Sequence, residues 1–428
     1  MLTVRNTNII LFIFFTLTNL SFKILYENLN NELSLNLVFI TLTTFLILIC
    51  YLVSMNSVRH NENGFYANLA LIYVVLVVLF YTENILVFYI SFEATLIPMF
   101  LLILGWGYRE EKTRAAFMFF YFTLIGGLFM LIVLMLIYSA SGTFNLSVLC
   151  STEYNYQAQK VWFLFMAFAF LVKIPVVPFH LWLPQAHVEA PLAGSILLAG
   201  ILLKLGAYGL IKYSIPMFPQ AFFSHSHWLQ IIALISVIYG GLSTIRQSDM
   251  KRLVAYSSVA HMGFGVYALF AVPAKMGVIS CVVILISHGF VSPALFMVCG
   301  VLYERYLTRI MKYYGGLINI MPLLGVSCFI FIVASIAFPG SLNFIGETIC
   351  VWVSIYNSIN HALLISLGAI IGLAYSLYFY EQVFTCRVSN FIGVKHQTLV
   401  KEEFLVFILL FIPVIVLGLY TNPLIKYC

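Results

Sequence analysis

Residues 168–184, FAFLVKIPVVPFHLWLP, set a lysine, three prolines and a histidine inside a run that is otherwise apolar. A helix that crosses a bilayer bonds all its backbone groups within itself, but Pro175 and Pro178 each remove a donor and clash with the preceding turn. The spacing therefore predicts a helix that enters the membrane, breaks just after Lys173, and leaves carbonyls that need water or polar neighbours at membrane depth. Such backbone survives only where it is buried in protein or lines a wet cavity.

The rest of the chain extends this reading. It has 428 residues, 63% hydrophobic and 8% charged, with a mean hydropathy of +1.04. No water-soluble core hides that much apolar surface, so the fold class expected is an all-α polytopic membrane protein. The amino-terminal MLTVRNTNIILFIFF leads straight into an apolar run with neither a small-residue cleavage site nor an Arg- and Ser-rich presequence, so no removable targeting peptide is expected. The load of 39 Phe and 26 Tyr fits an organelle genome and a bacterium alike. The net charge of +6 comes from basic residues in short loops, which report topology; no nucleic-acid partner is expected. Eight cysteines form no C-x-x-C pair and read as small apolar residues.

Apolar runs place helices near 7–25, 34–54, 67–82, 84–107, 114–139, 160–183, 190–214, 227–245, 252–272, 275–303, 318–356, 362–386 and 402–421, about thirteen in all. The run 318–356 is too long for one straight span and must bend at FPGSLN. Threading alternate loops onto two sides gathers fourteen basic residues on one side, among them Arg109, Lys112, Arg246, Lys251, Arg305 and Arg309. Five lie on the other, and Lys173 and Lys204 stay within the membrane, accounting for all 21. That asymmetry puts the amino terminus on the cytoplasmic or matrix side.

Glu93 is the tenth residue of 84–107, Lys173 the fourteenth of 160–183 and Lys204 the fifteenth of 190–214; at 1.5 Å per residue each lies roughly 15–21 Å from its helix start, near the bilayer centre. His261 and His288 are similarly central, and Glu347 follows the FPGSLN break. A charge at that depth costs about 2.5–3.5 kcal/mol even on the lenient insertion scale. The six look like one row parallel to the membrane plane. Blander roles stand beside this one: a lysine near a helix end snorkels, Glu93 is a structural counter-ion to Lys173, the two histidines are buried and hydrogen-bonded, and Glu347 caps a half-helix. Lys173 and Lys204 lie beyond snorkelling reach of either surface.

The second break, at Pro339 and Gly340, matches the first in position if 67–214 and 227–386 are two five-helix units with the broken helix fourth in each. The expected organisation is then N-terminal helices over 1–66, a first antiporter-like repeat over 67–214, a second, inverted repeat over 227–386 and a C-terminal helix within 402–428.

The runs SFEATLIPMFLLILGWG (91–107), FLVKIPVVPFHLWLPQAHVEAPLAGSILLAGILLKLGAYGL (170–210), QSDMKRLVAYSSVAHMGFG (247–265) and LYERYLTRIMKYYGGL (302–317) resemble the antiporter-like membrane subunits of respiratory complex I, within them the chain 4 type and its bacterial M-type counterpart. The resemblance implies that Glu93, Lys173, Lys204, His261, His288 and Glu347 are proton-pathway residues. It also implies that the chain pumps protons without a redox centre of its own, FMN, iron-sulfur clusters and ubiquinone belonging to the rest of the complex. Partners implied are the other membrane-arm subunits, especially chains 2 and 5, with accessory subunits and membrane lipids such as cardiolipin. The location implied is the mitochondrial inner membrane, or the plasma membrane of a bacterium. Glu347 favours chain 4, since chains 2 and 5 and many cation/proton antiporter subunits usually carry lysine there. The family usually has fourteen helices, one more than expected here, and often has histidine where Leu307 stands. The rival reading is a membrane subunit of a multisubunit cation/proton antiporter. A hydrogenase-linked subunit and a structural spacer are further alternatives. HSH at 225–227 reads as ordinary loop sequence in preference to a metal site.

Overall fold

The computed structural model describes residues 35–58, 60–387 and 399–421, and the expected helix at 7–25 lies outside them. Among the described residues fourteen helices make up the body, with short helical turns at Leu146–Ser151 and Leu317–Ile320 besides: α1 (Leu35–Ser57), α2 (Glu62–Tyr81), α3 (Ile85–Trp106), α4 (Lys112–Ser141), α5 (Tyr156–Lys173), α6 (Trp182–Glu189), α7 (Leu192–Met217), α8 (Pro219–Ile245), α9 (Met250–Phe270), α10 (Ala274–Tyr306), α11 (Pro322–Ser335), α12 (Leu342–Asn357), α13 (Ile359–Thr385) and α14 (Lys401–Leu419). Ten of these are long and apolar enough to cross a membrane uninterrupted. The remaining four pair up as two interrupted crossings, α5 with α6 and α11 with α12. Every expected helix within the described residues is present.

Local chemistry sets the boundaries. Asn84 starts α3 by accepting hydrogen bonds from the Leu86 and Val87 amides, and Asp249 starts α9 by accepting from those of Lys251 and Arg252. Pro219 opens α8 eight residues before the expected start, because proline at the first helical position loses only a donor that has no partner anyway. The run read as 160–183 ends at Lys173, and 318–356 divides at residues 336–341. In that turn Gly340 takes φ +95°, which a side chain would strain.

Packing sorts the helices by polarity. α7, α9 and α10 are buried on almost every face, whereas α2, α4, α13 and α14 turn much of their apolar surface outward. An apolar environment satisfies a polar side chain only through other helices, so the serines, histidines and lysines concentrate on the three central helices. α5 lies tightly on α7: a Cβ at Gly206 would run into the Phe170 carbonyl and the Ile174 side chain.

Contacts between loops confirm the two-sided threading. On one side Trp106 donates to the His60 carbonyl, Arg305 pairs with Glu403 and Asp249 bridges to Ile310. On the other, Asn84 bridges to Asn145, Lys212 donates to the Thr82 carbonyl and Asn357 to Val272. The first set carries the basic excess.

Candidate functional site

The first break is closed by side chains from neighbouring turns. The Trp182 indole donates to the Val172 carbonyl at 3.0 Å, and the Val177 amide donates to Ser236 Oγ at 3.0 Å. Lys173 is thereby held at the very end of α5, buried, with its Nζ 4.3 Å above the Phe92 ring and 3.4 Å from Thr95 Oγ1. Both contacts flank Glu93 on α3. The Glu93 carboxylate itself makes no hydrogen bond, and its two oxygens are sealed from solvent. The pair expected from the sequence therefore makes no direct hydrogen bond in this conformation, although the two charges still interact, and the carboxylate lies against Gly127 of α4.

Lys204 sits in α7 between two π-helical turns, Leu198–Leu202 and Leu210–Ser214. These looser turns, which recur at functional sites, free a carbonyl locally. The Lys204 ammonium donates to the Ala199 carbonyl and approaches His288 Nδ1 at 2.8 Å. His288 Nδ1 is also 3.3 Å from Ser292 Oγ. Its ring centroid lies 5.9 Å from that of His261. His261 in turn reaches Glu347 Oε1 at 3.4 Å through Nδ1 and Tyr375 Oη at 3.3 Å through Nε2. Asn343 donates from Nδ2 to both the Ser335 carbonyl at 3.3 Å and Glu347 Oε1 at 3.4 Å, spanning the second break. A cavity of about 20 Å³ between His261 and His288, walled also by Ser257, Ser292, Asn343 and Tyr375, has room for a water.

The structure thus joins four of the six sequence-derived residues, Lys204, His288, His261 and Glu347, into one buried chain of ionisable groups. Glu93 and Lys173 form a separate group at the end of α5. Sequence reasoning missed Thr95, Ser292, Asn343 and Tyr375, ordinary polar residues whose helix numbers carry no signal until the helices are assembled. It also counted Lys251 and Arg309 as loop cations, and both are buried. Arg309 pairs with Glu189 at 3.3 Å and lies over the rings of Tyr303 and Tyr108, while Lys251 donates to the Ala190 carbonyl. Burial in this cluster, with Glu304 nearby, pushes the Tyr108 phenol well above its ordinary range. The HSH stretch lies inside α8, where His225 Nδ1 is 2.9 Å from the Ala221 carbonyl. Among the described residues no group of three or more His, Cys, Asp or Glu is placed to hold a metal ion.

Comparison with known proteins follows the same lines. The family described as NADH:quinone oxidoreductase/Mrp antiporter, transmembrane, matches residues 82–372. The NADH-ubiquinone oxidoreductase chain 4 of the red alga Chondrus crispus is 42% identical over 389 residues, covering 91% of this chain and 79% of the relative. That of the liverwort Marchantia polymorpha is 42% identical over 400 residues, covering 92% and 80%. Among solved structures, a chain of respiratory complex I from Thermus thermophilus with bound NADH superposes with a TM-score of 0.83 at 28% identity, covering 92% of this chain and 83% of that one. A chain of the Mrp complex from Dietzia sp. gives 0.87 at 17% identity, covering 98% and 91%, a likeness of fold alone. Family match, 42% identity across an alignment of nine-tenths of the chain and the paired broken helices agree: the chain belongs to the NADH:quinone oxidoreductase/Mrp antiporter family of membrane subunits, among its complex I chain 4 members.

Proposed function

We propose that this chain moves protons across the mitochondrial inner membrane as part of NADH:ubiquinone oxidoreductase, along Glu93, Lys173, Lys204, His288, His261 and Glu347. The single observation that carries the reading is the buried contact series from Lys204 through His288 and His261 to Glu347. Each of these groups binds and releases one proton, and burying them costs too much to be incidental.

The carboxylate of Glu93 beside Lys173 favours the ammonium form of the lysine. With the pair parted, the close contacts of the amine are an aromatic ring and one hydroxyl, neither of which holds its proton as a carboxylate does. The proton then passes toward Lys204, whose ammonium already faces His288 Nδ1. Each imidazole accepts at one nitrogen and gives from the other, and a water in the cavity bridges the two rings. Glu347 receives the proton from His261 and passes it toward the far side. Residues 67–214 and 227–386 act as the two inverted half-channel units in this scheme. Electron transfer lies in partner subunits that hold FMN, iron-sulfur clusters and the quinone site. Chains 2 and 5 are the expected membrane-arm neighbours, and anionic lipids such as cardiolipin suit the basic side.

Lys173→Met tests the reading, since it keeps the volume and removes the charge. Proton pumping by the assembled complex is expected to be abolished; pumping at the ordinary proton-to-electron ratio would overturn the assignment.

A further inference from the structure

We infer that Gly127 is a positioning residue, the seat that receives the Glu93 carboxyl group when it leaves Lys173. This rests on the proton route proposed above and adds a residue outside that route.

A switch made by parting an ion pair needs a second place for the mobile side chain. In a close-packed bundle that place must be empty volume provided in advance. Here it is the missing Cβ of one residue: a methyl group built on Gly127 would overlap Oε1 and the carboxyl carbon of Glu93 and lie 3.0 Å from Oε2. The adjacent glycine behaves differently. A Cβ at Gly126 would meet Val172 Cβ at 3.4 Å and Ala169 Cα at 3.5 Å, ordinary packing contacts against α5. The two neighbours therefore divide the work, Gly126 facing α5 and Gly127 facing the carboxyl group.

Two further observations mark this as a station of a moving group. Both Glu93 oxygens are buried without a hydrogen-bond partner, so the seat offers space and no donor. A charged carboxylate left there is costly, which makes the seat a waypoint and not a resting ion-pair site. Lys173 contacts Phe92 and Thr95, the residues before and just beyond Glu93, so the paired position lies within a side-chain rotation. With a methyl group at 127 the seat closes, the carboxyl group stays with Lys173, and the lysine keeps its proton.

The test is a comparison of Gly127→Ala and Gly126→Ala in the intact complex, reading assembly, NADH oxidation and protons pumped per electron. Displacing a reacting group by about 1 Å costs up to roughly a hundredfold, so Gly127→Ala is expected to lower pumping by about tenfold or more while Gly126→Ala stays near the unmodified complex. Adding Glu93→Asp to Gly127→Ala withdraws the carboxyl group by one methylene and is expected to recover at least part of the loss, which a packing defect of α4 would not allow. If Gly127→Ala prevents assembly, Gly127→Ala with Glu93→Ala, which removes the clashing group, is expected to restore it. The seat is refuted by normal pumping in Gly127→Ala, by equal losses at 126 and 127, or by a defect that neither change at Glu93 relieves. Because Lys173→Met reads the proton route itself, a block there with normal Gly127→Ala pumping would remove the seat and leave the route standing.

Discussion

In the proton route proposed here, the two interrupted crossings use the same backbone device at opposite ends. At the first, α5 stops at a lysine, and the broken backbone is satisfied by Trp182 and Ser236. The Glu93 carboxylate makes no hydrogen bond to the lysine, although the two charges still interact, and the close contacts of the lysine are a hydroxyl and a ring. At the second, α12 begins after Gly340 and carries a carboxylate that accepts a hydrogen bond from Asn343 and lies within ion-pair distance, 3.4 Å, of His261 Nδ1, without hydrogen-bond geometry there. One break holds a parted pair and the other an assembled receiver. A break by itself thus supplies only polar accommodation at membrane depth, and the ionisable residue beside it, with its partners, decides which half of the transfer it serves.

Exchanging the charges is the strongest way to break this comparison. Glu347→Lys gives the second break the first one's cation and sets it against His261, where a protonated imidazole would be repelled and no carboxylate remains to receive the proton. Loss of a positioned proton acceptor costs about a hundredfold or more, and protons pumped per electron in vesicles are expected to fall by at least that much while NADH oxidation continues. Survival of pumping would show that the two breaks are interchangeable. Asn343→Ala is expected to have a smaller effect. It unties Glu347 from the Ser335 carbonyl, with a stability cost of about 1 kcal/mol and a several-fold loss of pumping, read by thermal unfolding of the purified complex and by the proton-to-electron ratio. The smallest effect is expected at the first break, where Thr95→Val removes only a 3.4 Å contact to Lys173. The ratio is expected to change by less than about threefold, in keeping with a hydrogen bond of modest strength. A larger loss at Thr95 than at Asn343 would reverse the ranking of loose and assembled stations.

Much of this architecture is legible in the chain because the bilayer imposes a one-dimensional rule. Apolar run length fixes the crossings, prolines at 175, 178 and 339 fix the breaks, and counting residues along a helix fixes the depth of Glu93, Lys173, Lys204, His261, His288 and Glu347. Lateral neighbours are not one-dimensional. That His261 faces Tyr375, that Asn343 reaches back over its own break, and that Lys251 and Arg309 fold inward onto Tyr108 follow from how helices rotate against one another, which sequence position alone does not encode. Gly126 and Gly127 show the limit most sharply. They are identical adjacent residues in one apolar helix, and only the assembled bundle shows that one faces a helix and the other a carboxylate.

The most direct measurement of the central claim is the proton-to-electron ratio of the reconstituted complex carrying Glu347→Gln, which preserves shape and hydrogen bonding but cannot carry the proton. A buried chain ending at Glu347 predicts NADH oxidation accompanied by a sharply reduced proton count. An unchanged ratio would contradict it, because protons would then be leaving by a path that does not pass through Glu347.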